Sequence, residues 1–326
     1  MARNWALTAH AALMFFAVLA AAQASESAAK PSVLRWARAD DSLALMSGGE
    51  IVWRFNYGKN AGKPNFDPLA PVGLPSISWL SPPDHAWHYG LWFSWKFING
   101  VNYWEIEKKT GRPQGTTCWK NVHCDARPDF SAHITLDVEY APGDDAAPLL
   151  TERRGIDISA PAADGSYSLD WTAAFTVGAQ DLVFDRTPPP GEKNGVAYGG
   201  YAGLSLRMRK LANVKAASAE SAIEFNDEHR FRGKSSAFDY SGELSGAAVG
   251  VAMLDHPANI HAPSPWYAIN DAQMCFFNAA ALCFEPLRVK AAQSFTLRYR
   301  IVVHPGSYDA AKLVQLQKDF AQKNAH

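Results

Sequence analysis

Between residues 82 and 105 the chain carries His85, His88, Lys96, Tyr103 and Glu105, together with four tryptophans. Histidine and glutamate are the usual donors and acceptors in general acid–base catalysis, because modest shifts bring their pKa to the working pH. Lysine and tyrosine join them when burial or a neighbouring charge moves their own titration. Tryptophan faces beside such groups offer a flat apolar platform with a polar edge. The chemistry this combination suits is proton transfer on a ring-shaped polar substrate.

Two later stretches carry the same kind of residue. Tyr198-Gly199-Gly200-Tyr201-Ala202-Gly203-Leu204-Ser205-Leu206-Arg207 lacks GxGxxG spacing and a following helix, so it is no phosphate loop. Its glycines permit close backbone approach, and Tyr201 and Arg207 present a hydroxyl and a guanidinium. The loop from Asp255 to Tyr267 contains His256, His261 and Trp266 among three prolines and small residues after an apolar run. Such a loop suits the wall of a site. The candidate catalytic set is therefore His88, Lys96, Tyr103, Glu105, Arg207 and His256, and the candidate substrate-binding set His85, Trp92, Tyr201, His261 and Trp266. Of these, His88, Glu105, Arg207 and His256 are expected to converge on one concave site, against the bland alternative of four unrelated surface positions. His85-x-x-His88 with Glu105 as a third ligand leaves a divalent metal open as a cofactor, and no cofactor is certain. Pro82, Pro83 and Gly90 argue against the helix on which i and i+3 would share a face.

The element that must position the first cluster is a hairpin. Asn99-Gly100 between aromatic alternating segments predicts a type I′ turn, which needs φ > 0 at both central residues. A two-residue turn sets Ile98 against Val101, Lys96 against Tyr103, Trp95 against Trp104 and Ser94 against Glu105. Alternation then puts Leu91, Phe93, Trp95, Phe97, Trp104 and Ile106 on a core face. His88, Trp92, Ser94, Lys96, Tyr103 and Glu105 fall on the other. Aromatic cross-strand pairs can stabilise a sheet without further purpose, by about 0.2–1 kcal/mol each. Buried-looking charges beside tryptophans need a stronger reason.

The chain of 326 residues is 48% hydrophobic with a formal net charge of −1, enough for a large core and unlike a disordered chain. The charge balance removes the electrostatic argument for nucleic acid or an anionic membrane as partner. Residues 1–24 read as a signal peptide: Arg3 opens it, residues 11–22 are apolar, and Ala22-Gln23-Ala24 is a cleavage site. The apolar run is shorter than the ~20 residues of a membrane span. A periplasmic or secreted protein without membrane insertion is expected. Of the four cysteines, the short spacings suggest bridges Cys118–Cys124 and Cys275–Cys283 in an oxidising compartment, with four buried free thiols as the rival reading.

Period-two runs over residues 131–140, 149–159, 167–177 and 294–303 predict strands, as does an apolar run at 247–254, while 110–125 reads as loop. Ser307 is expected to cap a final helix, with Asp309 in its first turn and the apolar stripe Leu313, Leu316 and Phe320. With no βα alternation and no repeat, residues 25–326 are expected to form a single all-β domain, a large antiparallel β-sandwich with a short C-terminal helix. Its enlarged form would be a supersandwich of the galactose-mutarotase-like kind.

At His85-x-x-His88-x-x-Leu91-Trp92-Phe93 and Asn99-Gly100-x-x-x-Trp104-Glu105 the sequence resembles the PmoA-like family of bacterial proteins. The resemblance continues through Tyr198-Gly199-Gly200, Gly203-Leu204-Ser205-Leu206-Arg207, Asp255-His256-Pro257, Pro265-Trp266 and Leu297-Arg298-Tyr299-Arg300, covering roughly residues 45–303. The family's common label, methane oxygenase, does not suit this chain. The methane monooxygenase subunit of that name is an integral membrane protein, and no spanning helix is predicted here. What the resemblance implies is an exported β-sandwich protein found among polysaccharide-degrading functions. Joined to the residues above, it leads to an expected carbohydrate substrate. Elimination, with Arg207 neutralising a carboxylate, is preferred over hydrolysis, because only Glu105 stands out as a catalytic carboxylate. The alternative is a non-catalytic carbohydrate-binding or surface-interaction protein.

Overall fold

The computed structural model describes Met1 and residues 33–323. The predicted export segment, Met1 apart, lies outside the described residues. From Val33 onward the alternating runs form three antiparallel sheets. The first has nine strands in the order Leu34–Ala39, Ser42–Ser47, Glu50–Asn56, Asn65–Leu69, Leu91–Ser94, Gly203–Met208, Cys275–Ala279, Pro265–Asn270 and Arg230–Lys234. The second has eight, ordered Ala212–Ser218, Ala237–Leu244, Ala247–Asp255, Ser294–Pro305, Tyr167–Val177, Leu150–Ile158, Ala132–Ala141 and Thr116–Ala126. The third is small: Leu287–Val289, Leu182–Asp185, Phe97–Ile98 and Val101–Asn102.

The two large sheets pack face to face, and period-two patterning decides which side chains meet. In Tyr167–Val177 the residues Tyr167, Leu169, Trp171, Ala173, Phe175 and Val177 are all buried, while those between them are half-buried or exposed. Phe93 of the first sheet meets Phe175 of the second at 5.6 Å between ring centroids, and Phe277 meets Tyr240 at 5.8 Å. Burying a large apolar side chain contributes about 1.5–3 kcal/mol, and such rings dominate this core.

The predicted strands appear with their ends shifted by at most one or two residues. The exception in kind is Thr116–Ala126, expected as loop. Its Lys, Asn, Asp and His residues mask the alternation because the strand is an edge with one face to solvent. The final helix is Ala310–Lys323, with Leu313 and Phe320 buried. Asp309, rather than Ser307, caps it, its Oδ1 accepting the Lys312 amide at 2.8 Å. Among the described residues no helix is long and apolar enough to cross a membrane.

The expected disulfides are absent, and all four cysteines are free. Cys118 and Cys124 lie on one extended strand. Six residues at about 3.3 Å each put their Cα atoms far beyond the ~7 Å limit of a bridge. Cys275 packs into the sandwich core, whereas Cys283 packs into a separate apolar cluster on the outer side of the first sheet.

Candidate active site

That outer cluster is the base of the site. Four neighbouring strands of the nine-stranded sheet turn alternate residues away from the sandwich: Trp92, Arg207, Phe276, and the pair Tyr267 and Ile269. Their neighbours Phe93, Leu206, Phe277 and Ala268 belong to the core. Above this outward layer opens a cleft of about 590 Å³.

One wall is the segment that enters the Leu91–Ser94 strand. Backbone bonds from His85 to Pro82 and from His88 to His85 fold it into successive turns. The turns bring the two imidazoles face to face, 4.6 Å apart, although in an extended segment they would diverge. His88 is 5% exposed and sandwiched further by Phe276 at 5.3 Å and Trp92 at 5.1 Å. Burial, followed by the charges of His85 and Arg207, holds its pKa well below the ordinary histidine value. It is therefore neutral at pH 7, and among the described residues its Nδ1 has no hydrogen-bond partner. Asp84 accepts from Arg207 Nη2 at 2.8 Å and lies 2.9 Å from His85 Nδ1. Burial works to raise the Asp84 carboxyl, but the bonds from His85 and Arg207 outweigh it and keep it ionised.

The opposing chemistry sits at the small sheet. The Asn99-Gly100 turn has φ of 49° and 79°, as a type I′ turn requires. The ladder closes after Phe97↔Asn102, where Asn102 accepts the Trp104 amide on its own side chain at 2.8 Å. This Asx turn swings the chain round, so that Lys96 and Glu105 form an ion pair inside the cleft. Asn102 Nδ2 also donates to Glu105 Oε2 at 2.7 Å, and the Tyr201 hydroxyl donates to Oε1. Burial would raise the Glu105 carboxyl, yet the Lys96 charge and these three bonds bring it below the ordinary value. Burial lowers Lys96, which Glu105 only partly restores, and raises Tyr201, which Glu105 raises further.

Tyr201 reaches the cleft because Gly199 and Gly200 precede it. A Cβ on Gly199 would lie 2.0 Å from the Pro188 carbonyl oxygen, and Gly200 sits at φ +103° with Cys283 Sγ 2.8 Å from where its Cβ would be. Arg232 fastens this loop, donating from Nε to the Gly199 carbonyl at 3.0 Å while its guanidinium covers the Tyr267 ring.

The family model described as "Family of unknown function (DUF6807)" matches residues 42–318. The chain belongs to that family. This corrects the PmoA-like resemblance, whose motifs all lie inside the matched span and are accounted for by the DUF6807 model instead. No curated protein sequence matches the chain.

Among solved structures, the chain is similar to the alpha-galactosidase from Lactobacillus brevis at 7% identity and a TM-score of 0.40, covering 85% of this chain and 40% of that one. Similarity to the galactosidase domain of an alpha-galactosidase-sucrose kinase has 10% identity and a TM-score of 0.39, covering 84% and 41%. The DUF6807 chain thus spans about two fifths of these two proteins. A galactose mutarotase related enzyme from Lactobacillus acidophilus matches at 8% identity and a TM-score of 0.34, over 83% of this chain and 97% of that chain.

Within this DUF6807 chain, His85, His88, Lys96, Glu105 and Tyr201 line the cleft together. Trp92 lies beneath His88 as part of the floor, and Arg207 lies fully buried behind Asp84. The others are elsewhere. Tyr103 was expected opposite Lys96 on the same face, and its amide does bond the Lys96 carbonyl. The Asx turn then sends its side chain into the sandwich, against Tyr140 and over Gly115, and turns Trp104 to the cleft in its place. Likewise Ser94 pairs with Gly203 rather than Glu105. Trp266 points inward, donating to the Ser235 carbonyl at 2.7 Å, because its neighbour Tyr267 holds the outward position. His256 packs on Phe320 of the C-terminal helix, and His261 Nδ1 lies 2.7 Å from the Ala281 carbonyl oxygen. Both belong to a loop that ends at the far end of the Tyr267 strand from the Asn270 hairpin.

Sequence reasoning missed Arg230, Tyr267, Phe276 and Asn102, all of which line the cleft. Tyr267 was one position of strand parity away from the residue chosen. Asn102 carried a legible signal, being an Asx-turn former three residues before a carboxylate. Among the described residues no cluster of three or more His, Cys, Asp or Glu could hold a metal ion.

Proposed function

We propose that the cleft binds a carbohydrate and catalyses proton transfer on it, by elimination in preference to hydrolysis. The observation that carries this reading is a neutral, unpaired imidazole at His88 sharing an aromatic cleft with an ionised Glu105. Tyr201, Tyr267, Trp87 and Trp104 supply ring faces for a sugar, and Glu105, Asn102 and Tyr201 supply planar polar groups. Hydrolysis by the two-carboxylate route needs a second carboxylate about 5–9.5 Å from the first, and among the lining residues Glu105 is the only carboxylate. In elimination His88 takes the proton from carbon, a C=C bond forms as the neighbouring C–O bond breaks, and the leaving oxygen takes a proton from Lys96. Burial makes Lys96 a readier donor than an exposed lysine. Arg207 does not fit the part of carboxylate-neutralising cation, since Asp84 already pairs with it.

A non-catalytic sugar-binding role is favoured by one observation: both Glu105 oxygens are already engaged by Lys96, Asn102 and Tyr201. His88→Gln separates the readings. With an acid–base role it should lower formation of unsaturated product about 10²–10⁴-fold while changing oligosaccharide affinity little. Wild-type protein that binds oligosaccharide without turning over any of a panel would leave only the binding role. The acid limb of the rate should lie below pH 6.5, because the base is lost only when His88 protonates. We also propose, from the N-terminal sequence, that the protein acts after export.

A further inference from the structure

The charges around the cleft do not cancel. Lys96 is balanced by Glu105, and Arg207 by Asp84. Arg230 lines the cleft from the Arg230–Lys234 strand and has only neutral partners. Its Nε donates to the Tyr267 hydroxyl at 3.2 Å and its Nη1 to the Glu228 carbonyl at 2.6 Å. Arg232, two residues along the same face, spends its donors on the Ala197 and Gly199 carbonyls. Among the described residues no carboxylate lies within ion-pair distance of either guanidinium. Two unneutralised cations thus flank Tyr267, whose ring stacks with Tyr201 at 6.3 Å. The cleft is also more apolar than polar in its lining, with Ile269, Met274 and Phe276 beside Arg230. A half-buried cation on an apolar wall, with no carboxylate to offset it, attracts an anion more strongly than the same cation in bulk water.

We infer that the cleft selects a sugar bearing a carboxylate, and that Arg230 is the residue that binds it. This rests on the reading of the cleft as a carbohydrate site. A guanidinium presents its donors in a planar fork that matches a carboxylate, and Tyr267 and the Glu228 carbonyl hold that fork at a set angle. The assignment fills the place that Arg207 cannot: a carboxylate held by Arg230 has its negative charge offset, which is what removal of the adjacent carbon-bound proton requires.

Calorimetric titration of the wild-type protein with uronate trisaccharides, neutral trisaccharides of equal length and sulfated trisaccharides tests this. Uronate trisaccharides should bind about 10–100-fold more tightly than neutral ones, the range of a charge-assisted hydrogen bond, and the gap should narrow as salt rises. Arg230→Gln should erase the gap, with an unchanged circular dichroism spectrum and unfolding midpoint reporting that the variant is folded. Arg230→Lys, which keeps the charge without the fork, should retain part of the preference. Equal wild-type affinity for uronate and neutral sugars, tighter binding of the sulfated series, or an undiminished uronate preference in Arg230→Gln would each overturn the inference and leave the carbohydrate reading intact. Absence of binding to every trisaccharide would remove the carbohydrate reading itself.

Discussion

The molecule contains the same three-part arrangement twice, once in its core and once in its cleft. In the core, Tyr140 donates to Glu152 at 2.6 Å while Arg154 grips both oxygens of that carboxylate, from Nε at 2.6 Å and Nη2 at 2.9 Å. In the cleft, Tyr201 donates to Glu105 while Lys96 pairs with its other oxygen. The side chains of Arg154 and Glu152 are 1% and 0% exposed, those of Lys96 and Glu105 5% and 24%. The cation is the other difference. Arginine holds a carboxylate in a fixed fork and never gives up its proton, whereas lysine is a point charge whose pKa moves with burial. One arrangement is therefore a rivet between strands, and the other can exchange protons with whatever occupies the cleft.

Removing the carboxylate in each place should expose the contrast most strongly. Glu152→Gln leaves Arg154 charged and unpaired in the core and should cost about 3–5 kcal/mol in chemical denaturation. Glu105→Gln should cost only about 1–2 kcal/mol, since Lys96 can shed its proton or reach solvent, while lowering turnover about 10²-fold. Equal losses of stability would erase the distinction.

Lys63 sharpens it. This lysine is buried beside the core arrangement and, among the described residues, has only Thr117 as a side-chain hydrogen-bond partner, at 3.3 Å. Burial, then the Arg154 charge, brings its pKa down to about 7. Unfolding returns it to the ordinary lysine value of 10.5, so the unfolded chain binds the extra proton between those values and stability rises with pH across that window. The wild type should gain about 3 kcal/mol from this group between pH 7 and 10, and Lys63→Met should flatten that gain. A variant with the wild-type slope would mean that Lys63 keeps its proton in the fold, as Lys96 does beside Glu105.

The smallest effect concerns the hydroxyls. Tyr140→Phe removes a bond to a fully buried carboxylate and should cost about 1.5–3 kcal/mol. Tyr201→Phe should cost about 1 kcal/mol or less, because water in the cleft can replace the lost donor. Matching thermal shifts in the two variants would show that the cleft is as dry as the core.

How much of this could be read beforehand depended on the range of the interaction. The strands at residues 131–140, 149–159 and 167–177 were legible because each has one face on the core, and alternation is the direct imprint of that. The edge strand Thr116–Ala126 was not, since its half-solvated pattern looks like a loop. The Asn99-Gly100 turn was legible from its backbone demands, yet the two-residue ladder beyond it was not, because Asn102 ends the pairing with its own side chain.

The site divides the same way. Local chemistry in the sequence determined that His85, His88, Lys96 and Glu105 would be near one another, for a tight turn and a short connection leave such residues little room to separate. Only the tertiary structure decided that Phe276, Tyr267 and Arg230 complete the cleft and that His256, His261 and Trp266 do not. That outcome rests on which strands of the nine-stranded sheet lie side by side and on the parity of each. A shift of one residue along a strand exchanges Tyr267 for Trp266, and nothing local to that dipeptide records which of the two rings the core has already taken.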